Sequence, residues 1–285
     1  PFPLSTMSVC SIEDVAEHTT KPFWFQLYTM KDQDFLRRLI QRAKDAKCSA
    51  LVITLDLQIL GQRHKDLKNG LSTPPKLSPA VTADLATKWG WGIEMLRTKR
   101  RQFGNIVGHV ADIEDTSSLG EWTAQQFDQK LDWAKVATIK EMWGGPVILK
   151  GILDPEDARM ALKVGADAIV VSNHGGRQQD GAISSMRALE PIMQAVGGDI
   201  EVHLDSGIRS GQDVLKAIAL GAKGTYIGRA YVHGLGAQGE QGVATALELI
   251  RNELDIAMAF TGKRNVTEVD RSCVLVPEGF SGVWA

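Results

Sequence analysis

Short apolar runs alternate with amphipathic stretches along most of the 285-residue chain. The runs are rich in β-branched and aromatic residues and almost continuously apolar, which is typical of parallel strands covered on both faces. The predicted strands are Phe23–Tyr28, Ala50–Asp56, Val147–Lys150, Ala168–Ser172, Glu201–Asp205 and Gly224–Gly228. The first residues, Pro1–Leu4, have the character of the end of a further strand, so we expect the intact protein to contain sequence before Pro1.

The stretches between these strands carry signals for the start and end of helices. Asp154 and Pro155 predict a helix start, with Asp as the cap and Pro at the first helical position. Gly165 suits the left-handed residue that follows a helix. Ser210 and Gly221 delimit the next helix in the same way. Because Ala and then a strand follow each of these glycines, the pattern indicates a repeated helix–glycine–strand unit.

Repeated strand–helix units predict a parallel sheet, either open and doubly wound or closed into a barrel. Polar residues follow nearly every predicted strand. In an open sheet, ligand contacts cluster at one switch point, whereas in a barrel all strand ends face the same mouth. We therefore predict an α/β fold, a TIM (β/α)8 barrel whose N-terminal part is missing. It would form a single domain over residues 1–285, with a long insertion after Asp56 at residues 57–128.

The predicted insertion is far longer than an ordinary connection between elements. Its middle, Trp89–Leu96, combines aromatic and aliphatic residues, and Arg97, Lys99, Arg100 and Arg101 follow. Apolar residues beside a basic cluster are typical of a helix that lies in a membrane interface. A lid helix that packs on the barrel or on a neighbouring subunit produces the same pattern. Both interpretations stay open from the sequence.

Composition and charge restrict the classes of partner. The net charge of −2 gives no reason to expect nucleic acid as a partner, because binding to its backbone needs a basic face. The three cysteines lie far apart and match no metal-ligand spacing, and so sparse a count fits a reducing compartment. No apolar run approaches the ~20 residues of a membrane-spanning helix. We therefore predict a cytoplasmic protein, either soluble or peripheral on the inner face of the cell membrane.

Chemically suggestive residues follow several of the predicted strands. His174 is a candidate general base, and Arg177 in the same turn can bind a carboxylate through two parallel hydrogen bonds. Asp56, at another strand end, can hold the imidazole in one tautomer and stabilise its protonated form. Arg63 is a second candidate for binding a carboxylate. Lys150 either pairs with a neighbouring acid or stabilises negative charge that develops on a bound cofactor.

The ends of the last two predicted strands combine glycines with arginines. Asp205–Gly211 and Gly228 supply backbone N–H groups and a helix start, and Arg209 and Arg229 supply positive charge. These are the ingredients of an anion site. Because barrels usually bind phosphate at their last two strands, the sequence predicts a phosphate site here.

Seven stretches carry a resemblance to a known family, in the family's order and over almost the whole chain. They are Phe25–Tyr28, Thr54–Asp56, Gly61–Arg63, Leu149–Gly151, Ser172–Arg177, Leu204–Arg209 and Ile227–Arg229. Together they resemble the FMN-dependent α-hydroxy-acid dehydrogenase and oxidase family. Pro3–Cys10 and Lys150–Arg159 are most similar to its bacterial respiratory L-lactate dehydrogenase branch.

The resemblance implies FMN as cofactor and oxidation of an L-2-hydroxy acid, with L-lactate preferred over glycolate and mandelate. It implies catalytic roles for His174, Asp56 and Lys150, substrate binding by Tyr28, Arg63 and Arg177, and flavin binding by Ser5, Gln26, Thr54, Lys150, Ser172, Asp205, Gly207, Arg209, Gly228 and Arg229.

The resemblance further implies a homo-oligomer, a tetramer, and a quinone, a cytochrome or O2 as electron acceptor. Whether hydrogen leaves the substrate as hydride or as proton stays open. The family has a further N-terminal segment, so we expect weak or no activity from these residues alone. Two alternatives remain: another flavin- or phosphate-binding barrel enzyme, and a barrel that binds a ligand without catalysis.

Overall fold

A computed structural model describes residues 1–61, 63–70, 78–98, 100–109 and 125–281 of the chain. The chain divides into two compact units, Pro1–Val147 and Ile148–Ala285. In each unit, parallel strands alternate with helices. The prediction of a single domain with residues 57–128 as an insertion stays a prediction.

The first unit contains three parallel strands in chain order, joined by two helices. These elements are β1 (Pro3–Ser5), α1 (Ile12–Glu17), β2 (Trp24–Tyr28), α2 (Gln33–Asp45) and β3 (Ala50–Thr54). Every residue of β3 is buried, as expected for a strand that is covered on both faces. In the register of β2 with β3, Tyr28 lies opposite Thr54, so two candidate site residues are neighbours.

One face of α2 packs into this unit because its apolar residues recur every three or four positions. The residues of this face are at most 3% exposed: Phe35, Leu36, Leu39, Ile40 and Ala43. The helix begins after Asp32, whose side chain accepts a hydrogen bond from the Phe35 N–H at 2.9 Å. This cap satisfies one of the backbone donors that a helix start leaves without a partner.

Four helices of the first unit follow β3 and have both ends within the described residues. They are α3 (His64–Lys68), α4 (Pro79–Ala86), α5 (Trp89–Arg97) and α6 (Trp133–Trp143). α5 lies against α4, and none of its residues is buried. Part of the predicted insertion is therefore helical, and the aromatic segment singled out in the sequence forms a well-exposed helix.

The chain that returns from α5 is attached firmly to the first unit. The Asn105 side chain accepts a hydrogen bond from the Ile12 N–H at 2.9 Å and donates one to the Ser5 carbonyl at 3.3 Å. Arg100 forms an ion pair with Asp14 at 2.7 Å. Because Asn105 is fully buried, its two hydrogen bonds are shielded from water and are expected to be stronger than surface bonds.

The second unit repeats the strand–helix pattern. Its elements are β4 (Val147–Ile152), which starts at the boundary, α7 (Pro155–Lys163), β5 (Ala168–Val171), α8 (Ser185–Val196), β6 (Glu201–Leu204), α9 (Gly211–Ala219), β7 (Gly224–Thr225) and α10 (Arg229–Phe260). β4 to β7 are parallel and pair in chain order. Residues of β5 and β6 are buried almost throughout, which matches their predicted position inside the sheet.

α10 is long, bends at Gln238 and Gly239, and packs closely on α9. A Cβ atom on Gly211, the first residue of α9, would lie 1.9 Å from the backbone nitrogen of Leu254. The Gly211 N–H also donates to the Glu253 carboxylate at 2.9 Å. This contact places the two backbones closer together than any residue other than glycine allows.

Local predictions agree well with the structure. Asp154 and Ser210 cap α7 and α9, and Gly165 and Gly221 have the predicted left-handed backbone, with φ of +76° and +107°. Some predicted strands are too long: β3 ends at Thr54 and β7 at Thr225, so Asp56 and Gly228 follow their strands by two and three residues. None of the described helices combines the length and apolar character needed to cross a membrane.

Candidate active site

In the first unit, polar side chains meet near the carboxyl ends of the strands. The Gln26 amide donates from Nε2 to Thr54 Oγ1 at 3.1 Å and to Tyr28 Oη at 3.4 Å. Ser5 lies opposite Gln26 in the register of β1 with β2. The structure therefore brings together four of the five residues of this unit that the resemblance assigns to the flavin edge and to the substrate, the fifth being Arg63.

Thr6 belongs to this group and is not among the predicted site residues. Thr6 is fully buried, its hydroxyl donates to the Gln26 carbonyl at 2.9 Å, and it accepts from the Tyr28 N–H at 3.2 Å. One hydroxyl thus holds the backbone of β2 on both sides of Leu27. Its place directly after the candidate Ser5 is the only signal that could have identified it.

Asp56 and Arg63 also belong to the first unit and follow β3. Both side chains are half-buried, and Arg63 directly precedes α3. Gln62, part of the stretch that resembles the family, lies outside the described residues.

In the second unit, Lys150 forms an ion pair with Asp205. Lys150 Nζ lies 3.0 Å from Asp205 Oδ2, and the two side chains are 14% and 15% exposed. Lys150 also donates to Ser172 Oγ at 2.9 Å. Of the two arrangements considered for Lys150, the structure contains the pair with an acid, and this pair holds the ammonium group in one place.

His174 occupies a tight turn directly after β5. The turn is a short 3-10 helix of three residues, His174–Gly176. His174 itself has φ of +56°. A residue other than glycine in this region costs about 1–2 kcal/mol, so the surroundings must hold it there.

Side-chain oxygens hold four consecutive backbone N–H groups of this segment. Ser206 Oγ accepts from Asn173 at 3.2 Å and from Gly175 at 2.9 Å, Ser172 Oγ accepts from His174 at 3.1 Å, and Asn173 Oδ1 accepts from Gly176 at 3.1 Å. Ser206 and Asn173 are not among the predicted site residues. The sequence could have pointed to them only by their positions next to Asp205 and His174.

Arg229, the first residue of α10, is bonded to this turn. Its Nη2 donates to the Gly175 carbonyl at 2.6 Å. Gly175 has φ of +68°, and a Cβ on it would lie 3.2 Å from Arg229 Nη2, so glycine allows the close approach. Arg177 follows the turn and is half-buried. Lys150, His174 and Arg229 are therefore linked through one continuous set of hydrogen bonds in this unit.

The remaining predicted phosphate-binding residues suit an anion. Gly207 and Gly228 have open space where a Cβ would stand, and Gly207 has φ of +108°. α10 begins after Gly228 with no side-chain cap, whereas Asp154 caps α7. An uncapped helix start beside an arginine is a favourable place for phosphate. Arg209 is exposed, and its N–H donates to Asp213 at 3.0 Å.

One polar pair was not predicted: His203, which is buried and lies two residues before Asp205, and Tyr226, which is half-buried. His203 Nδ1 is 2.6 Å from Tyr226 Oη, and His203 Nε2 is 3.3 Å from Glu201 Oε2. Burial lowers the pKa of His203, while Glu201 acts in the opposite direction. Burial and the charges of Asp205 and Glu201 raise the pKa of Tyr226. These directions favour a neutral imidazole that accepts from the phenol and donates to the carboxylate.

The parallel strand–helix architecture is that of a (β/α)-barrel protein. The profile of the FMN-dependent dehydrogenase family matches residues 1–276. The chain belongs to this family. It is therefore an FMN-dependent 2-hydroxy-acid dehydrogenase, and the predicted cofactor, enzyme class and barrel fold are confirmed.

Known relatives include a lactate enzyme and mandelate enzymes. The chain is 43% identical over 279 residues to L-lactate dehydrogenase of Acinetobacter baylyi, covering 96% of this chain and 72% of that protein. A crystal structure of (S)-mandelate dehydrogenase, described as a monotopic membrane protein, matches with TM-score 0.91 and 33% identity over 96% of this chain and 72% of that one. Mandelate oxidase matches with TM-score 0.77 and 37% identity over 94% and 68%.

Proposed function

We propose that this enzyme oxidises L-lactate to pyruvate in preference to other L-2-hydroxy acids. The 43% identity to a protein named L-lactate dehydrogenase supports lactate over mandelate, for which the structural relatives at 33% and 37% identity are named. The observation that carries the catalytic part is the turn of His174, which is bonded to Ser172 and Ser206 beside the Lys150–Asp205 pair.

Several of the candidate residues hold the cofactor. FMN, when bound, accepts the two electrons removed from the substrate. Arg209, Arg229, Gly207 and Gly228 bind its phosphate through guanidinium and backbone N–H groups. Asp205, as a carboxylate, repels phosphate, so it serves the site by holding Lys150 in place.

Lys150 supplies positive charge at the flavin ring, held there by Asp205 and Ser172. Ser5, Gln26 and Thr54, which form one group within the first unit, bind the polar edge of the ring.

The substrate is bound and deprotonated by the remaining candidates. Arg63 and Arg177 bind the carboxylate through paired hydrogen bonds, which orients the α-carbon. Tyr28 binds the substrate hydroxyl or carboxylate. His174 removes a proton from the substrate, and Asp56 stabilises the imidazolium that forms.

A substrate panel tests this function. The FMN-loaded protein is mixed without oxygen with L-lactate, D-lactate, glycolate or L-mandelate, and the loss of visible flavin absorbance is followed. We expect L-lactate to give the highest kcat/KM for flavin reduction and D-lactate to give none. A higher kcat/KM for L-mandelate would refute the lactate assignment, and no reduction by any hydroxy acid would refute the catalytic roles.

We also propose that α5 contacts a membrane surface. Trp89, Ile93 and Leu96 share one helix face and are 75%, 41% and 76% exposed. Arg97 and Arg101 lie at the end of the helix, so a lipid surface that carries negative charge complements it. The exposure of these side chains argues against a lid helix that buries its tryptophans on its own chain. Among the three acceptors considered, a membrane position favours a lipid-soluble quinone.

Sedimentation with lipid vesicles tests the membrane contact. Binding to anionic vesicles should fall about tenfold or more in Trp89→Ser and in Leu96→Ser, since each loses the burial of a large apolar side chain. Phe260→Ser is the matched control, because Phe260 is 88% exposed at the end of α10 and should leave binding unchanged. Equal binding by all variants would favour the alternative in which α5 packs on a neighbouring subunit. The homo-oligomer itself stays a prediction.

A further inference from the structure

Two residues of the proposed site have a strained backbone. They are the proposed base, His174, and Ser206, which bonds the residues before and after His174. Within the described residues, the non-glycine residues with positive φ are Lys47, His174 and Ser206, at +56°, +56° and +70°. Such conformations persist where the surrounding structure holds them, and they concentrate at functional sites. Lys47 lies in the exposed turn between α2 and β3, far along the chain from the other two.

The Ser206 hydroxyl uses its full capacity for hydrogen bonds. It donates to Asp205 Oδ1 at 2.7 Å and accepts from the N–H groups of Asn173 and Gly175 at 3.2 and 2.9 Å. A serine hydroxyl has one hydrogen and two acceptor positions, and all three are engaged here. Because a carboxylate can only accept, it directs the hydroxyl hydrogen away and leaves the oxygen lone pairs facing the turn.

The same network connects the turn to the ammonium group of Lys150. Asp205 binds Ser206 with one carboxylate oxygen and Lys150 with the other, at 3.0 Å. Ser185 fixes the peptide itself, since its hydroxyl donates to the carbonyls of Asp205 and Ser206 at 2.5 and 3.0 Å. Ser206 therefore stands between the Lys150–Asp205 pair and the residues on both sides of His174.

We propose that Ser206 is a positioning residue: its hydroxyl sets the orientation of the His174 turn relative to Lys150. This rests on the proposed function only in the assignment of His174 as the base. Glycine suits the left-handed backbone at position 206 better than serine does. The strained serine is explained by the three hydrogen bonds that its hydroxyl makes.

The variant Ser206→Gly separates the hydroxyl from the backbone, because it removes the bonds and relieves the strain together. The first measurement needs no catalysis: in the apoprotein, the amides of Asn173 and Gly175 should exchange their hydrogens about tenfold or more faster, since each loses its acceptor. Lys47→Gly is the matched control. It relieves the same kind of strain away from the site, and exchange at Asn173 and Gly175 should be unchanged.

The second measurement uses the FMN-loaded protein. In Ser206→Gly, kcat for flavin reduction by L-lactate should fall about tenfold or more, because a small displacement of a base is costly. KM and the dissociation constant of FMN should stay within about threefold, because the groups that bind substrate and phosphate are retained. Ser206→Ala, which lacks the hydroxyl but keeps the strain, should lower kcat to a similar extent.

The possible failures are distinct. Faster exchange with an unchanged kcat would overturn the positioning role while leaving the hydrogen bonds real. A loss of kcat in Ser206→Ala but not in Ser206→Gly would assign the effect to the backbone instead of the hydroxyl. A loss of FMN from Ser206→Gly would assign Ser206 to cofactor binding. Either result overturns the inference. If wild-type protein is not reduced by any hydroxy acid, the proposed function fails, whereas the exchange experiment still reports on the hydrogen bonds.

Discussion

Arg229 Nη2 lies 2.6 Å from the carbonyl oxygen of Gly175, the residue directly after His174. One guanidinium group therefore joins the start of α10 to the turn that carries the proposed base. Arginine has five N–H donors in a fixed plane, so it can hold this carbonyl and still bind an anion. In the proposed enzyme, phosphate binding and the position of the catalytic turn depend on the same side chain.

Replacing Arg229 with Lys should weaken both functions. A lysine keeps the charge but cannot present parallel donors to a carbonyl and a phosphate, so the dissociation constant of FMN should rise about tenfold or more. Titration of the apoprotein with FMN, followed by quenching of flavin fluorescence, measures this. Arg251→Lys is the control, because Arg251 lies on the same helix in an exposed pair with Glu248. Unchanged FMN affinity in Arg229→Lys would remove Arg229 from the phosphate site.

His174→Ala should abolish substrate-driven reduction of the flavin while FMN stays bound. The side chain is the proposed proton acceptor, and the turn is held by backbone N–H groups that alanine retains. Stopped-flow mixing with L-lactate measures the reduction, and the visible spectrum reports the bound flavin. His233→Ala, at an exposed position on α10, should reduce at the wild-type rate. A wild-type rate in His174→Ala would disprove the assignment of the base.

Interactions within a short stretch of chain could be predicted from the sequence, and distant ones could not. The caps at Asp154 and Ser210 bind N–H groups two and three residues away, so residue type and order are enough to predict them. Ser206 and Gly175 are 31 residues apart, and Asn105 and Ser5 are 100 apart. Which serine or asparagine meets which backbone group there depends on the folded strand order.

The chemical candidates follow the same logic. His174, Lys150 and Arg229 could be singled out because each follows an apolar run typical of a strand, and parallel strands end at one edge. The positive φ of His174 was not predictable, because it is imposed by hydroxyl groups from neighbouring segments. His203 and Tyr226 carry no such signal, because each lies within a predicted strand instead of after its end.

Acid should destabilise the fold through His203. Burial lowers the pKa of this imidazole below its ordinary value of 6.5, so the unfolded chain binds the proton more tightly than the folded chain. The stability that His203 contributes is therefore complete above pH 6.5 and is lost as the pH falls through the lower folded value.

Denaturant unfolding of wild type and His203→Phe at about pH 7 and about pH 5 measures this contribution. On going to the lower pH, wild type should lose more stability than His203→Phe. Tyr226→Phe is the control, because it removes the same hydrogen bond, 2.6 Å long, and keeps the imidazole. It should retain the pH dependence. An equal loss in wild type and His203→Phe would show that His203 does not contribute to it.

A methyl group at Gly211 should destabilise the second unit strongly. The added Cβ would lie 1.9 Å from the Leu254 nitrogen and 2.4 Å from the Glu253 carbonyl carbon, and both atoms are backbone of α10. The helices must move apart, which costs about 1–3 kcal/mol or more and also lengthens the Gly211–Glu253 hydrogen bond. Because α10 begins at Arg229, FMN affinity should fall with it.

Gly236→Ala on α10 provides the comparison, since no atom lies within 4 Å of its Cβ position. It should leave FMN affinity unchanged and stabilise the helix by about 0.5–1 kcal/mol, because alanine loses less backbone entropy than glycine. Urea unfolding followed by circular dichroism gives both free energies. A Gly211→Ala variant as stable as wild type would mean that α9 and α10 separate at little cost, and the close contact would then have no part in holding Arg229 against the His174 turn.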